Sequence, residues 1–394
     1  MRSRFRIYLD GWFRLLRAML LVGFDTFILR GHREKRPRRE GAIFCLHGLG
    51  DLLLAGHAVA ALASRMRSRG LRAVLFVHPA WVEFARRNFP IDDVEGIDRH
   101  RFTREFGYRA KVLRRVAGRF VLAVQPTFNR MLRVEDCLVR ATGAAEKIGS
   151  AGHAPFISRQ ERWCGDRFYT QLLPPQPAPR HELERYAEFM AGIGITVPTT
   201  PWRLRADDSA ADVAVPAAPY LVLAPNASDS RRSWPLNNFL RAAQEVATRH
   251  QLAVVVIGDK ESGSPVCWPN GDGGPEWIDL SGRVAIEHLP KILARAELVI
   301  SNDSGAYHVS LSLGCPAVAV GGSGLPARYF PYPNEAALRT KVLYEPVPCA
   351  GCNWRCIHTK SRSETAWCLR QISWPEVADA ADALLRRSLK HASA

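Results

Sequence analysis

The stretch Leu298–Val320, LVISNDSGAYHVSLSLGCPAVAV, constrains the fold more than any other part of the sequence. Its two apolar ends have the length and composition of buried strands. Between them, Asn-Asp-Ser-Gly at 302–305 predicts a sharp turn into a short helix. A helix that begins at the carboxyl edge of a parallel sheet presents free N–H groups and a positive dipole end, which suits a phosphate group. The alternative is a helix capped by Asp303 or Ser304, with no ligand.

Strand-like and helix-like segments alternate along most of the chain. Apolar runs that predict buried strands occur at 42–46, 72–77, 120–125, 220–226 and 253–257. Helical patterns fill intervals between them, at 52–69, 79–88, 130–140, 235–249 and 287–296. This alternation predicts an α/β fold with parallel, doubly wound sheets. Two such halves in tandem predict two Rossmann-like domains that face each other across a cleft, with ligands at the carboxyl ends of the strands.

A chain of 394 residues is long enough for two domains of ordinary size. A region rich in proline, 174–219, lies between the two alternating halves. We therefore expect a basic N-terminal extension and linker at 1–40, a first Rossmann-like domain at 41–215 and a second at 216–394.

The composition is that of a folded protein with an anionic partner. Lys and Arg outnumber Asp and Glu by 54 to 38, which gives a net charge of +16. Such a charge favours nucleic acid, an acidic membrane surface or a phosphorylated substrate as partner. The nine cysteines form an odd, mostly scattered set, which is typical of a reducing compartment and not of a disulfide framework.

The first 40 residues combine apolar side chains at roughly helical spacing with several arginines. The longest uncharged run, 18–24, is far too short to cross a bilayer. No clean small-residue cleavage site follows it, so we do not expect a signal peptide. The pattern predicts a basic amphipathic helix that lies on an anionic membrane surface, or else a helix that packs on the protein's own surface.

Three loops that follow predicted strands carry charged residues. Asp51 comes directly after Gly-Leu-Gly at the end of the first strand, where a carboxylate can act as a general base or cap a helix. Arg231 and Arg232 follow the strand at 220–226 and can hold a diphosphate by paired hydrogen bonds, although a solvated basic turn is the alternative. Beyond the next strand, Glu261 or Asp259 can accept hydrogen bonds from ribose hydroxyls.

Four cysteines cluster late in the chain, at positions Cys349, Cys352, Cys356 and Cys368. Thiols at such short spacings favour a tetrahedral structural metal, zinc or iron, over four unligated thiols. The remaining five stand singly, mostly in apolar settings, and are expected to be core thiols. They are Cys45, Cys137, Cys164, Cys267 and Cys315.

Several motifs together resemble glycosyltransferase family 9, the lipopolysaccharide heptosyltransferases. In chain order they are GDLLLAG, APNASDSRRSWPLNNF, VVVIGDKE, DLSGRVAIEHLPKILARAELVISNDSGAYHVSLSLGCPAVAV and CLRQISWPEVADAADALL. The resemblance covers residues 42–390 and is densest over 220–322. It implies a GT-B fold and an inverting sugar transfer that needs no metal for catalysis.

The resemblance also implies roles for individual residues. In the family, the aspartate matching Asp51 is the proposed base that deprotonates the acceptor hydroxyl. The position of Arg232, which is usually lysine, contacts the donor phosphates. The turn Asp303-Ser304-Gly305 lies with His308 against the diphosphate and sugar. Because Asp303 is an anion, we expect it to bind sugar hydroxyls or to shape the turn.

Substrates, location and the metal follow from the same resemblance. It implies ADP-heptose or a similar nucleotide sugar as donor, held by residues 216–394, and a lipopolysaccharide core or related surface glycan as acceptor, held by 41–215. The protein is then expected in the cytoplasm, peripheral on the inner face of the bacterial inner membrane, with no nucleic acid partner. Iron-bound cysteine clusters resembling this one occur in family members that modify autotransporters.

Other functions compete with this interpretation. A basic, metal-stapled nucleic-acid-binding protein fits the net charge and the cysteine cluster, although the basic residues are dispersed and form no aromatic-interleaved face outside the N-terminal arm. A family member that glycosylates a protein acceptor is a further alternative. A Rossmann oxidoreductase is disfavoured because no GxGxxG opens either half.

Overall fold

The structure is a computed structural model. It describes residues 2–31, 37–152, 157–177, 179–205, 216–259, 273–335, 337–359, 361 and 363–392, with only the backbone at 2–15 and 388–392. Glu261 and Cys267 therefore lie outside the described residues. The chain forms two compact units, Met1–Ala178 with Leu183–Thr199, and Pro179–Glu182 with Thr200–Ala394. The change of unit at Thr199–Thr200 precedes the domain start that the sequence suggests at 216.

The first unit is built on a parallel sheet of six strands in the order β3-β2-β1-β4-β5-β6. The strands are β1 (Glu40–Phe44), β2 (Arg72–Val77), β3 (Asp93–Gly96), β4 (Leu122–Gln125), β5 (Glu146–Ser150) and β6 (Gln171–Leu173). The central strands are buried along their length, as near-continuous apolar runs require when helices cover both faces of a sheet.

Nine helices accompany this sheet in the described residues. They are α1 (Arg2–Arg30), α2 (Leu49–Leu54), α3 (Gly56–Ser68), α4 (Val82–Asn88), α5 (Arg99–Arg104), α6 (Phe106–Val116), α7 (Cys137–Ala141), α8 (Arg159–Gly165) and α9 (Glu182–Gly192). The single helix predicted at 52–69 is wrong, because α2 and α3 part at Ala55. Side chains are buried on both sides of that break, so the apolar pattern runs through it unchanged.

The helix predicted at 130–140 also differs from the structure. A π-helical turn, Leu132–Asp136, precedes α7. Within this turn, the buried carboxylate of Glu135 accepts a hydrogen bond from the backbone N–H of Met131 at 3.0 Å. Met131 is the N-cap residue of this turn, so the Glu135 carboxylate satisfies a backbone donor that has no partner within the helix.

The second unit contains a parallel sheet in the order β12-β11-β10-β7-β8-β9. The strands are β7 (Tyr220–Ala224), β8 (Ala253–Val256), β9 (Trp277–Asp279), β10 (Leu298–Asn302), β11 (Ala317–Val320) and β12 (Thr340–Leu343). The helices are α10 (Leu236–His250), α11 (Leu289–Ala294), α12 (Gly305–Leu313), α13 (Trp367–Arg370) and α14 (Trp374–Ala392). The predicted strand, turn, helix and strand of 298–320 are confirmed.

The two sheets share one topology. Counted from its own first strand, each has the order 3-2-1-4-5-6, which is that of the Rossmann fold. The winding direction therefore reverses between β1 and β4 in the first unit and between β7 and β10 in the second. Loops that leave neighbouring strands at such a switch point diverge to opposite faces and open a crevice for ligands. The predicted doubly wound α/β fold is confirmed, and the switch points locate the candidate sites.

The N-terminal helix α1 is packed onto the first unit through one of its faces. Ala18, Leu21 and Asp25 are buried there. The Asp25 carboxylate pairs with the buried guanidinium of Arg109 on α6, with N–O distances of 2.5 and 2.6 Å. Arg140 of α7 adds a hydrogen bond to Thr26 at 2.8 Å. The end of α1 that precedes the linker is therefore part of the core of this unit.

No helix in the described part of the chain is both long and apolar enough to span a membrane. This holds for α1 as well, although it is 29 residues long.

Removing the Asp25 charge should destabilise the first unit. In Asp25→Asn, the buried guanidinium of Arg109 loses its counter-charge, and breaking such a pair costs about 3 kcal/mol. Urea unfolding followed by tryptophan fluorescence measures the loss. Glu105→Gln, which breaks an exposed pair with Arg101, is the control and should cost about 0.3 kcal/mol. Equal losses in the two variants would mean that α1 does not depend on the buried pair.

Candidate active site

The loops that leave β7 and β10 meet at the switch point of the second unit. Arg232 lies in the loop after β7. Its Nη2 donates to both the backbone carbonyl and the carboxylate Oδ2 of Asp303, each at 3.0 Å. Asp303 is almost fully buried, and the Arg232 side chain is one-quarter exposed. The structure therefore brings together two residues that the sequence places 71 positions apart.

A buried asparagine, which the sequence places in the turn of 302–305, belongs to the strand before it and holds these two loops together. Asn302, the last residue of β10, accepts the backbone N–H of Trp234 at 2.9 Å and donates to the carbonyl of Pro225. Both partners belong to the segment after β7. The sequence signal for this role is an asparagine at the end of a buried strand, directly before Asp-Ser-Gly.

Asp303 is held from its other side by His308. The His308 Nε2 lies 3.6 Å from Oδ1 of Asp303, and its Nδ1 is 2.6 Å from the hydroxyl of Tyr332. Burial disfavours the charged carboxylate, but the His308 ring and the Arg232 guanidinium outweigh it, so the pKa of Asp303 lies below its usual value. Asp303 therefore stays ionised and keeps Arg232 in place. Tyr332 is a member of this network that the sequence motifs did not indicate.

The helix after this turn, α12, begins without a side-chain cap. Ser304 occupies the N-cap position with extended backbone angles, yet its hydroxyl makes no capping hydrogen bond. The prediction of a helix N-terminus beside the turn is confirmed, whereas the capped alternative is not. Nearby, the Nε of Arg232 is buried with no hydrogen-bond partner among the described residues. Free N–H groups at a helix N-terminus and an unpaired guanidinium N–H are the donors that bind a phosphate.

Arg231 faces a different set of partners from Arg232. It forms a fork with the carboxylate of Asp229, and its Nη1 donates to the carbonyl of Trp354 at 2.7 Å. The hydrogen bonds from Arg231 hold the pKa of Asp229 below its usual value. Of the two arginines, Arg232 is thus the one beside Asp303, and Arg231 is engaged in shaping the turn.

Asp51 lies in the first unit, in the first turn of α2. Gly48, not Asp51, is the N-cap residue of this helix, so the capping role suggested as an alternative is not the one Asp51 has. Its side chain is half-buried at the carboxyl end of β1, beside the switch point. Burial, with the nearby Asp51 charge, raises the pKa of the Cys45 thiol to about 12. Asp51 is accordingly placed at the edge where a sheet of this type binds its ligand.

Asp259 follows β8 in an exposed position. Just before it, Gly258 has a φ of 153° and packs against Asn226, so that a Cβ atom would lie 2.0 Å from the Asn226 side-chain oxygen. The loops after β7 and β8 are therefore in close contact. The ribose-binding role of Glu261 stays a prediction, because that residue is outside the described part of the chain.

The four late cysteines line one small cavity in the second unit. Its other lining residues include Ser323, Gly324 and Trp354. Cys368 is buried on α13, and Cys349, Cys352 and Cys356 are half-buried. Burial raises the pKa of the Cys352 and Cys368 thiols. As placed, no three His, Cys, Asp or Glu side chains among the described residues are close enough to hold a metal ion. The donor set is nevertheless that of a tetrahedral zinc or iron site.

A family model and several known proteins match this chain. Residues 136–353, more than half of the chain, match the model "Glycosyltransferase family 9 (heptosyltransferase)". The lipopolysaccharide core heptosyltransferase OpsX of Haemophilus influenzae is 22% identical over 204 residues, which are 49% of this chain and 53% of that protein. The match therefore spans about half the length of this curated relative.

Two solved structures illustrate the likeness in fold. The Escherichia coli heptosyltransferase WaaC with ADP has a TM-score of 0.61 at 15% identity, covering 88% of this chain and 99% of its own. The iron-containing dodecameric glycosyltransferase TibC from enterotoxigenic E. coli has a TM-score of 0.53 at 16% identity, and the match covers 91% of this chain and 78% of the TibC chain. Neither the oxidoreductase nor the nucleic-acid-binding interpretation gains support from these matches.

The family model covers more than half of the chain, and the fold is that of solved members of the family. The chain belongs to glycosyltransferase family 9, the heptosyltransferase family.

Proposed function

We propose that this protein transfers a heptose from a nucleoside-diphosphate donor, ADP-heptose, to a lipopolysaccharide core or a related surface glycan, with inversion at the sugar. The observation that carries the proposal is the contact of Arg232 with Asp303 beside the uncapped start of α12. These groups supply positive charge and free N–H donors where a leaving diphosphate would gain negative charge. The names of OpsX and of the ADP-bound WaaC support the choice of acceptor and donor.

Each donor-side residue has a distinct part in this proposal. Arg232 and the backbone N–H groups that begin at Gly305 bind the diphosphate. Asp303, kept ionised, holds Arg232 and accepts hydrogen bonds from sugar hydroxyls, while His308 fixes the orientation of its carboxylate. Ser304 is the N-cap residue, and because its hydroxyl makes no capping hydrogen bond, the first backbone N–H groups of α12 stay free for the phosphate. Arg231 acts on the donor indirectly by holding the turn that carries Arg232.

Asp51 is the proposed general base. The acceptor hydroxyl oxygen attacks the anomeric carbon while the bond from that carbon to the diphosphate oxygen breaks. The hydroxyl proton passes to the Asp51 carboxylate, and the bonding electrons leave with the nucleoside diphosphate. Attack on the face opposite the leaving group inverts the anomeric centre. No metal takes part in these steps.

We place the protein on the cytoplasmic face of the bacterial inner membrane, in contact with lipid through α1. Leu16, Leu20 and Phe27 point away from the first unit and are 59%, 64% and 76% exposed. Their spacing puts them on one side of the helix. Phe106, which is 55% exposed and packs edge-on against Phe24 at 4.9 Å, extends the same apolar surface. An exposed apolar patch on a chain of net charge +16 suits an anionic lipid surface.

We also propose that Cys349, Cys352, Cys356 and Cys368 hold a structural zinc or iron ion. Their shared cavity and the iron content of TibC support this assignment. With four thiolate ligands the ion has no open position for substrate, so it would cross-link two segments of the second unit and take no part in the transfer.

The Asp51→Asn variant should lose transfer while it keeps donor binding. Removing a general base lowers the turnover about 100-fold or more, whereas the donor-binding groups are in the other unit and stay intact. Turnover is followed by ADP release and donor binding by titration calorimetry with ADP. Asp379→Asn, at an exposed position on α14, is the control and should change neither quantity. Wild-type turnover in Asp51→Asn would remove Asp51 from the mechanism.

The two arginines should differ in their effect on donor binding. Arg232→Ala removes a charge-assisted contact worth about 2 kcal/mol, so ADP should bind about 30-fold more weakly. Arg232→Lys, which restores the residue usual in the family, should recover part of the affinity. Arg231→Ala should weaken binding less, because its guanidinium is bonded to Asp229 and Trp354. Calorimetry with ADP and UDP measures these affinities, and equal affinity of wild type and Arg232→Ala for ADP would refute the assignment.

Vesicle flotation tests the membrane surface on α1. The triple variant Leu16→Ser, Leu20→Ser and Phe27→Ser should bind phosphatidylglycerol vesicles about 100-fold more weakly, since each apolar side chain contributes about 1 kcal/mol on insertion. Ile357→Ser, at a 78% exposed site in the second unit, is the matched control and should bind as wild type does. Unchanged flotation of the triple variant would exclude α1 as the membrane contact.

A further inference from the structure

The loop that carries three of the cysteines is tied to the segment after β11. We call residues 349–356 the cysteine loop. The backbone N–H of Gly351 donates to the carbonyl of Ser323, and that of Asn353 donates to the carbonyl of Gly324, both at 2.8 Å. The indole ring of Trp354 packs against Gly322 and Gly324, where a Cβ atom would lie 2.6 and 2.8 Å from the ring. The position of Trp354 is therefore closely defined.

The backbone at Trp354 adopts a conformation that bulky residues rarely take. Asn353 and Trp354 have φ values of 50° and 60°, in the left-handed region. A non-glycine pair stays there only when its surroundings hold it. Cys352 and Cys356 flank the pair, and both face the cysteine cavity. A ligand bound to these two thiols would therefore restrain the strained backbone at Asn353 and Trp354 from both sides.

Trp354 contacts both arginines of the donor-side turn. Its carbonyl accepts the hydrogen bond from Arg231, and its ring lies under the guanidinium of Arg232, 5.4 Å from the ring centroid. Arg232 is thereby held between an aromatic face and the carboxylate of Asp303. A cation over an aromatic ring loses little freedom and stays oriented for a ligand.

The segment that leads to the fourth cysteine is bonded to the same turn. The N–H of Ala366 donates to the carbonyl of Arg231, and the hydroxyl of Thr365 donates to the carbonyl of Ser233, both at 3.0 Å. Cys368 follows two residues later, on α13. Both segments that bear the cysteines therefore contact the turn 230–233, although no thiol is part of the donor site described above.

We propose that Trp354 is a positioning residue for the donor site and couples it to the cysteine cavity. A thiophilic metal ion on the four cysteines fixes the cysteine loop, which fixes Trp354 under Arg232 and tightens binding of the nucleoside diphosphate. The coupling is reciprocal, so the bound nucleotide retains the metal more firmly by the same factor. This inference rests on the proposed donor site and adds a control of donor affinity by metal ligation.

Substitution of Trp354 tests the positioning role. In Trp354→Ala, we expect ADP affinity to fall about tenfold by calorimetry, while Trp354→Phe, which keeps an aromatic face, recovers most of it. Trp163→Ala, at an exposed site in the first unit, and Ile357→Ala, beside Cys356, are the matched controls and should bind ADP as wild type does. A melting temperature close to that of wild type separates lost positioning from unfolding.

The metal is tested on the same proteins. The purified chain should contain about one equivalent of zinc or iron by elemental analysis, and removing it with a chelator should weaken ADP binding about tenfold. Adding ADP should slow transfer of the metal to a chromogenic chelator in wild type but not in Trp354→Ala.

Two results would separate the inference from the function on which it rests. The coupling would be overturned if Trp354→Ala bound ADP as tightly as wild type does. It would also be overturned if the metal-free protein bound ADP as tightly as the metal-loaded one. Either result would leave the proposed transfer in place. A wild-type protein that binds none of ADP, UDP, GDP and CMP would overturn both.

Discussion

The proposed donor site depends on one ion pair, between Arg232 and Asp303. The pair exists because β7 and β10 are neighbours at the point where the second sheet reverses its winding. Asn302 fixes the two loops at that point, and His308 with Tyr332 holds the carboxylate from behind. A buried ion pair is costly unless every group is paired. Here the Nε of Arg232 has no partner among the described residues, and an anionic ligand would satisfy it.

The surroundings of this pair explain why the two adjacent arginines differ. Arg231 is tied to Asp229 and to the cysteine loop, so its charge is already compensated. Arg232 lies on the ring of Trp354 and keeps part of its donor capacity. The cysteine loop therefore contacts both arginines of the proposed donor site, although it lies outside the segment 298–320. In the first unit, Asp51 lies at the carboxyl end of β1, beside a switch point of the same topology, which suits the proposed role of its carboxylate in proton transfer.

The sequence was sufficient for features that depend on local pattern. The strands and turn of 298–320 follow from apolar runs broken by Asn-Asp-Ser-Gly, and the doubly wound class follows from alternation. Contacts between distant segments were out of reach, because periodicity does not give strand order. The resemblance places Arg232 and Asp303 at one diphosphate, but their direct hydrogen bonds do not follow from the sequence pattern, nor does the burial of Asp25 against Arg109, 84 positions away. The contacts of Trp354 with the two arginines leave no sequence signature, because a tryptophan between cysteines indicates no particular partner.

We propose that the chain transfers heptose from a nucleoside diphosphate with inversion. The most direct test is incubation of the purified protein with ADP-heptose and lipopolysaccharide that lacks heptose, with ADP release and the anomeric configuration of the product measured together. Release of one ADP for each heptose added, with the anomeric configuration opposite to that of the donor, is the predicted result. Retention of configuration, or no ADP release under conditions in which a known heptosyltransferase acts on the same acceptor, would contradict it.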